Sequence, residues 1–376
     1  MSDYRSLTAC CIVVLAVAAP AFGQAAAEDK VRSWQPSKSY QNVSCAAASQ
    51  YHYDLYVPRG FRPEQPTPVL FVFSPRGRVP MQLFEAAADR LSWVVCGSVE
   101  SQNGLPWPQY EAIFAALHKE MKAHMTVHPH RLYFTGMSGG SRVAFEMFRA
   151  HADAAAGVIG MAAGRSGSGT PKVPGGAVIG LVGRSDFNYF EFIELNEHLA
   201  DQGMVFRFVD WDGPHTWAPA QLIAEAMDWL DTQYFVRSPH LTDQEKQRRD
   251  SVVDALVAKT KSQGATVEAF EAWESLARDL TDDGDRRDRV AAQIEKIKPQ
   301  LADELAAREV FREAYKPFNI NRTNEAGLVA LQQRMRQVAA DHGETVYGKR
   351  ADALARSLDA TLAMVRQSIK QREQKK

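Results

Sequence analysis

The pentapeptide 136–140, Gly-Met-Ser-Gly-Gly, combines a candidate nucleophile with the small neighbours that a tight turn needs. It matches the pattern G-x-S-x-G, in which a serine lies on a sharp turn between a strand and a helix. The flanks agree, because 131–135 is a β-type run and 143–149 has helical character. Larger side chains at the flanking glycines would collide across the turn. The pattern predicts that Ser138 is a nucleophile.

A serine hydroxyl is protonated at neutral pH and needs a neighbouring base to act as a nucleophile. His215 is the candidate base, and it follows a predicted strand at 205–211 with Gly and Pro directly before it. Asp186 is the candidate acid that orients the imidazole, and it follows a predicted strand at 177–183. All three residues thus come just after predicted strands, where catalytic groups of open parallel sheets gather.

Two other carboxylates, Asp210 and Asp212, are alternative candidates for the acid. Asp186 is favoured because a short loop joins it to its strand, whereas the other two lie very near His215 in the sequence. The chain order is then serine, acid, histidine, which is the order of the triad in α/β-hydrolases.

These motifs resemble those of the α/β-hydrolase superfamily of serine hydrolases, in particular secreted esterases related to polyhydroxyalkanoate depolymerases and feruloyl esterases. The resemblance is carried by residues 135–142, 183–186 and 213–217, and it extends over roughly residues 50–235. It implies an α/β-hydrolase fold, a mostly parallel sheet with helices on both faces. It also implies a Ser-His-Asp triad that works through an acyl-enzyme, without a cofactor.

The resemblance further implies an oxyanion hole built from two backbone N–H groups. One is expected from Gly139, directly after the serine. The other belongs to the loop after the third strand, where the family often has His-Gly and this chain has Ser-Pro-Arg-Gly at 74–77. Pro75 has no N–H, so Arg76 is the expected donor. The side chains of Arg76 and Arg78 either face solvent or bind an acidic group of the substrate.

Three aromatic residues close to these motifs are candidates for lining a substrate pocket. Phe187 directly follows the candidate acid, Trp217 follows His215 by two positions, and Trp107 follows a predicted strand through an Asn-Gly-Leu-Pro loop. A core role is the alternative for each, since aromatic side chains often anchor loops.

Strand-like and helix-like runs alternate from residue 69 to residue 234, which predicts a mostly parallel sheet covered on both faces. A polar lead-in at 24–45 is expected before the opening strand. Beyond about residue 240, β-branched runs vanish and helical periodicity recurs. The predicted organisation is a hydrolase domain at 24–237 and an all-α domain at 238–376.

The first 23 residues have the features of a signal peptide. Arg5 supplies a positive charge, the apolar stretch 7–20 is too short for a typical membrane span, and 21–23 offers a small-x-small cleavage site. An uncleaved anchor and a lipoprotein modified at Cys10 are the alternatives. The protein is therefore expected in the periplasm or outside the cell.

Cys45 and Cys96 are the cysteines beyond that segment. In an exported protein they would be able to pair, but Cys96 lies in a predicted core strand, where a free buried thiol fits equally well. No spacing of cysteine or histidine predicts a metal site. His128 and His130 are expected in a loop away from the chemistry.

The formal net charge of −1 on 376 residues gives no electrostatic case for a nucleic acid or an anionic membrane as partner. The predicted function is hydrolysis of a carboxylic ester, in a small molecule or a polymer. A serine peptidase of the same fold is one alternative. The other is a hydrolase-like scaffold whose helical region binds a protein partner.

Overall fold

The computed structural model describes residues 33–164, 173, 175–201, 205–280, 284–315 and 325–374. The predicted signal peptide, including Arg5 and Cys10, lies outside the described residues. Among the helices described, none is both long and apolar enough to span a bilayer.

A single eight-stranded sheet organises the first part of the described chain, with the strand order β1-β2-β4-β3-β5-β6-β7-β8. β2 pairs antiparallel with β1 and β4, and every pairing from β4 through β3 to β8 is parallel. The strands are β1 (Lys38–Cys45), β2 (Ala48–Val57), β3 (Thr67–Phe73), β4 (Val94–Ser98), β5 (Val127–Met137), β6 (Ala155–Met161), β7 (Ala177–Gly183) and β8 (Val205–Trp211).

Helices cover both faces of this sheet, and their apolar sides form two separate layers. One layer contains residues of α2 and α3, and the other contains residues of α1 and α5. The helices are α1 (Glu85–Leu91), α2 (Trp107–His124), α3 (Gly139–Ala150), α4 (Tyr189–Asp201) and α5 (Ala220–Arg237). The central strands are buried on both faces, which explains their continuous apolar runs.

The remainder of the described chain is helical, as predicted. It consists of α6 (Asp243–Ser262), α7 (Val267–Asp279), α8 (Gly284–Ile297), α9 (Ala302–Tyr315), α10 (Glu325–His342) and α11 (Val346–Glu373). The predicted fold class, an α/β-hydrolase sheet followed by an all-α region, is confirmed.

The helical region shares an apolar core with the sheet region. Side chains of α4 and β8 pack in one cluster with side chains of α9, α10 and α11, among them Tyr189, Phe192, Phe208, Leu331, Leu354 and Leu358. Val236 at the end of α5 joins a second cluster with α6, α7 and α8. The division into two domains at residue 237 stays a prediction, and the two regions bury apolar surface against each other.

Two local predictions were wrong. The polar lead-in at 24–45 contains β1, an edge strand that is mostly exposed and therefore lacks the apolar alternation that marks a half-buried strand. His128 and His130 lie in β5 and not in a loop. Pro129 between them lacks an N–H, and it lies where the pairing of β3 with β5 changes register, so the strand can include it.

Cys45 and Cys96 are both buried, and no disulfide joins these two described residues. Burial raises the pKa of the Cys96 thiol well above its usual value. The structure therefore shows the buried-thiol alternative for Cys96, in strand β4.

Candidate active site

Ser138 occupies a strained turn between β5 and α3. Its backbone angles are φ 55° and ψ −120°, in a region that residues with a side chain rarely adopt. The Ser138 N–H donates to the carbonyl of Met161 at the end of β6, at 2.8 Å. The turn is thus tied to the neighbouring strand, and it presents the serine at the carboxyl end of the sheet.

Close approach of β3 explains the two outer glycines of the pentapeptide. A Cβ atom on Gly136 would lie 2.5 Å from the carbonyl oxygen of Phe73, and one on Gly140 would lie 2.2 Å from the same atom. Both distances are far below van der Waals contact, and the obstacle is backbone that cannot rotate away. The sheet and the serine turn can pack together only with glycine at both positions.

The three residues predicted to form a triad lie in hydrogen-bonding contact. His215 Nε2 is 3.0 Å from Ser138 Oγ, and His215 Nδ1 is 2.9 Å from each carboxylate oxygen of Asp186. Asp186 is 1% exposed, whereas 22% of the His215 side chain is exposed. A carboxylate accepts the Nδ1 proton, so the arrangement favours the tautomer whose Nε2 accepts from the serine hydroxyl.

The alternative acids are placed differently. Asp210 accepts hydrogen bonds from the Tyr189 hydroxyl at 2.6 Å and from Arg184 at 3.2 Å. Asp212 is exposed. The carboxylate that contacts His215 in the structure is that of Asp186.

The turn that carries Asp186 is itself held by hydrogen bonds. Asp186 Oδ1 accepts from the N–H of Asn188 at 2.8 Å, and the Asn188 side chain donates to the carbonyl of Ala162 at 2.9 Å. Ala162 directly follows β6, so the acid turn is anchored to the strand beside the serine turn. Sequence reasoning did not single out Asn188, because an asparagine in a loop is ordinary turn chemistry.

Phe187 lies directly against the histidine. Its ring stacks on the imidazole of His215 with centroids 4.2 Å apart and an interplanar angle of 30°, and 45% of the residue is exposed. An exposed aromatic ring at this position borders the space in front of the triad. Its role in binding a substrate stays a prediction.

The two tryptophans have neighbours in the core. Trp107 begins α2, is half-buried and lies 6.3 Å from the ring of Tyr110. Trp217 is also half-buried and meets Phe84 edge to face at 6.2 Å. These contacts agree with the core alternative for both, and their lining of a pocket stays a prediction.

The two predicted oxyanion donors differ in their surroundings. Gly139 is the first residue of α3, and N–H groups in the first turn of a helix have no partner within it. The N–H of Arg76 donates to Ser74 Oγ at 3.3 Å. Arg76 would have to give up this long bond to serve an oxyanion, and its role stays a prediction.

Asn103 is a neighbour of the site that sequence reasoning missed. A Cβ atom on Gly139 would lie 1.7 Å from Asn103 Oδ1, so the carboxamide covers the residue after the serine. Asn103 is exposed, and its N–H donates to the carbonyl of Pro75 at 3.0 Å. The Asn-Gly pair at 103–104 is a common turn signal, which gave no hint of this contact.

Within the described ranges, histidine, cysteine, aspartate and glutamate side chains form no group of three or more suited to a metal ion.

No protein-family model matches the chain. No curated protein is similar to it either. It is similar to several solved structures over about half its length. A ferulic acid esterase is 16% identical, with a TM-score of 0.45 and 53% of this chain and 100% of that chain covered.

The fluorophosphonate-binding serine hydrolase F of Staphylococcus aureus is 12% identical, with a TM-score of 0.41, 52% of this chain and 96% of that chain covered. The feruloyl esterase module from Clostridium thermocellum, complexed with sinapinate, is 13% identical, with a TM-score of 0.39, 55% and 89% covered. The chain resembles these proteins, and its own sheet and serine turn give it the α/β-hydrolase fold.

Proposed function

We propose that this protein is a serine hydrolase that cleaves carboxylic esters through an acyl-enzyme. The observation that carries the proposal is the continuous hydrogen-bond chain from Ser138 through His215 to the buried Asp186, at a strained turn on the carboxyl edge of the sheet. A buried carboxylate, an imidazole and a hydroxyl in this order are the groups that acyl transfer by a serine requires.

The first half of the reaction forms a bond between Ser138 Oγ and the carbonyl carbon of the ester. His215 accepts the hydroxyl proton as the bond forms, and Asp186 stabilises the resulting imidazolium. The Gly139 N–H, together with that of Arg76, would hold the negative charge that develops on the carbonyl oxygen. The proton then passes from His215 to the departing alcohol, which leaves an acyl group on Ser138.

The second half repeats these steps with water. His215 accepts a proton from the attacking water, the tetrahedral intermediate collapses, and the acid is released as Ser138 regains its proton. Because 22% of the His215 side chain is exposed, water would be able to reach the imidazole. From the N-terminal sequence alone, we further propose that the protein is exported.

The test is the hydrolysis of p-nitrophenyl esters of increasing acyl length, of methyl ferulate, and of peptide p-nitroanilides. We expect the protein to hydrolyse esters faster than anilides. We expect Ser138→Ala to lower kcat for esters by about 10⁴-fold or more. Ser251→Ala, at an exposed position on α6, is the control and should retain full activity. Faster cleavage of anilides would favour the peptidase alternative, and ester turnover that survives Ser138→Ala would refute the proposal.

A further inference from the structure

Helix α11 of the C-terminal region reaches the turn that carries the proposed catalytic acid. Ser357, in the middle of this helix, is 3% exposed. Its hydroxyl donates to the carbonyl oxygen of Phe187 at 2.8 Å and accepts from the N–H of Phe190 at 3.3 Å. The single hydroxyl of Ser357 thus bonds to the backbone at two points of the segment just after Asp186, at Phe187 and at Phe190.

The backbone that Ser357 holds determines where two active-site groups lie. The Phe187 ring stacks on His215, and the N–H of Asn188 bonds to Asp186. Both groups belong to the same short turn, so a shift of its backbone would move the ring and the carboxylate together. Ser357 is buried, and loss of its hydroxyl would remove both the bond to the Phe187 carbonyl and the bond from the Phe190 N–H.

A second, indirect connection between the same helix and the same turn runs through Asp210 of β8. Arg350 of α11 is 7% exposed and bonds to Glu271 of α7 at 3.1 Å, and its side chain is 3.9 Å from Asp210 of β8. Asp210 in turn accepts the hydroxyl of Tyr189, the first residue of α4. Helix α11 therefore bonds to the 186–190 turn directly through Ser357 and lies near it indirectly through Asp210.

We propose that Ser357 is a positioning residue for the reaction. It fixes the 186–190 turn so that Asp186 and Phe187 keep the imidazole of His215 within reach of Ser138 Oγ. This inference rests on the proposed function, and it makes the helical region part of the active site. The helical region would then contribute to catalysis without contacting the substrate.

The test compares Ser357→Ala with Ser357→Thr, which keeps the hydroxyl. Three quantities are measured on full-length protein: the second-order rate constant for labelling by a fluorophosphonate probe, kcat and KM for a p-nitrophenyl ester, and Tm. Because a displacement of about 1 Å in a catalytic group can lower the rate by about 100-fold, we expect Ser357→Ala to lower labelling and kcat at least about tenfold. KM should stay within about twofold, and Ser357→Thr should recover most of the rate.

Thr361→Val is the matched control. Thr361 is a buried hydroxyl one turn further along α11, and its hydroxyl donates at 3.3 Å to a carbonyl of its own helix, that of Ser357. We expect this variant to label at the rate of the unmodified protein. If Ser357→Ala does not fold, Ser357→Cys keeps the side-chain size with a weaker donor and provides the same comparison.

The outcomes separate this inference from the function on which it depends. If the unmodified protein is labelled and Ser357→Ala is labelled equally fast, whatever its Tm, the positioning role is overturned. The esterase proposal then stays intact. Equal losses in Ser357→Ala and Ser357→Thr also overturn it, since the hydroxyl would not be the cause. A folded, unmodified protein that does not label would remove both proposals.

Discussion

Ser138, His215 and Asp186 come from three separate strand ends, and the contacts among them depend on local features that the sequence displays. The glycines at 136 and 140, the short loop before Asp186 and the Gly-Pro before His215 all follow β-type runs. Strand ends of a parallel sheet meet at one edge, so residue type and position were enough to predict these neighbours. Asn103 and Ser357 were not predictable in this way, because their contacts arise from loop conformation and helix packing.

Gly139 offers a prediction at the residue scale. In Gly139→Ala the new Cβ atom would lie 1.7 Å from Asn103 Oδ1, so either the carboxamide or the serine turn must move. We expect kcat for ester hydrolysis to fall about tenfold, because the N–H of residue 139 is the proposed oxyanion donor. Steady-state kinetics on p-nitrophenyl esters measure the effect.

The double variant Gly139→Ala/Asn103→Ala is the control for that prediction. It removes the carboxamide that the methyl group would meet, and it should recover most of the lost rate. A single variant with unchanged kcat would show that Asn103 moves aside at no cost. An equal loss in both variants would point to strain in the turn itself.

At the scale of elements, the alternation of strands and helices and the all-α end were predictable from periodicity. β1 was not, because an edge strand exposed on both sides shows neither alternation nor an apolar run. The packing of α11 against α4 was also not predictable. A helix with an apolar stripe must bury that stripe, but the stripe does not indicate which element it packs against.

The contacts of Arg350 between α11 and the sheet region predict a loss of stability when this side chain is replaced. Arg350→Met removes the buried cation that bonds to Glu271 at 3.1 Å and lies 3.9 Å from Asp210, which keeps its bonds to Arg184 and Tyr189. We expect the free energy of unfolding to fall by about 1–3 kcal/mol, since Glu271 loses a charged hydrogen bond and Asp210 loses a nearby buried cation. Urea unfolding followed by circular dichroism measures it.

Arg356→Met on the same helix is the matched control. Its side chain is 54% exposed and pairs with Asp352 one turn earlier. Exposed pairs contribute at most about 1 kcal/mol, so this variant should unfold almost like the original protein. Similar losses in the two variants would mean that the general helix stability of α11 matters and the Arg350 contacts do not.

For the whole molecule, the shared core predicts that the sheet region depends on the helices. A chain that ends at Arg237 would expose apolar side chains of α4 and β8 that now pack against α9, α10 and α11. Since burial of such surface is the main stabilising force in folding, we expect this chain to lose cooperative thermal unfolding. Differential scanning calorimetry is the measurement.

A chain that ends at Arg366 is the control for that truncation. It lacks the end of α11, where side chains from 367 to 371 are exposed, and it should keep the Tm of the full-length protein. A chain ending at Arg237 that folds and turns over esters normally would instead support a separate helical module, with a partner-binding role of its own.

The pH dependence of stability is a second prediction at this scale. Burial lowers the pKa of His118 to about 4, from an ordinary value of about 6.5 in an unfolded chain. Between these values the unfolded chain takes up a proton that the folded protein does not. The contribution of His118 to stability is therefore full above about pH 6.5 and is lost as the pH falls toward about 4.

His118→Gln removes this titration, and the free energy of unfolding should fall less steeply between about pH 6.5 and about pH 4. Urea unfolding at several pH values across this range measures the slope. Above about pH 7 the imidazole is neutral in both states, so the values there report only the effect on packing. Identical slopes for the two proteins would contradict a half-buried imidazole that stays neutral at this position.

Ser138 is proposed to be a nucleophile activated by His215, and covalent labelling is the direct test of that role. Folded protein is treated with a fluorophosphonate, digested and mapped by mass spectrometry. We predict one adduct, on Ser138, that is absent from Ser138→Ala and forms far more slowly in His215→Ala. No adduct on folded protein, or an adduct on another residue that persists in Ser138→Ala, would show that Ser138 is not the nucleophile.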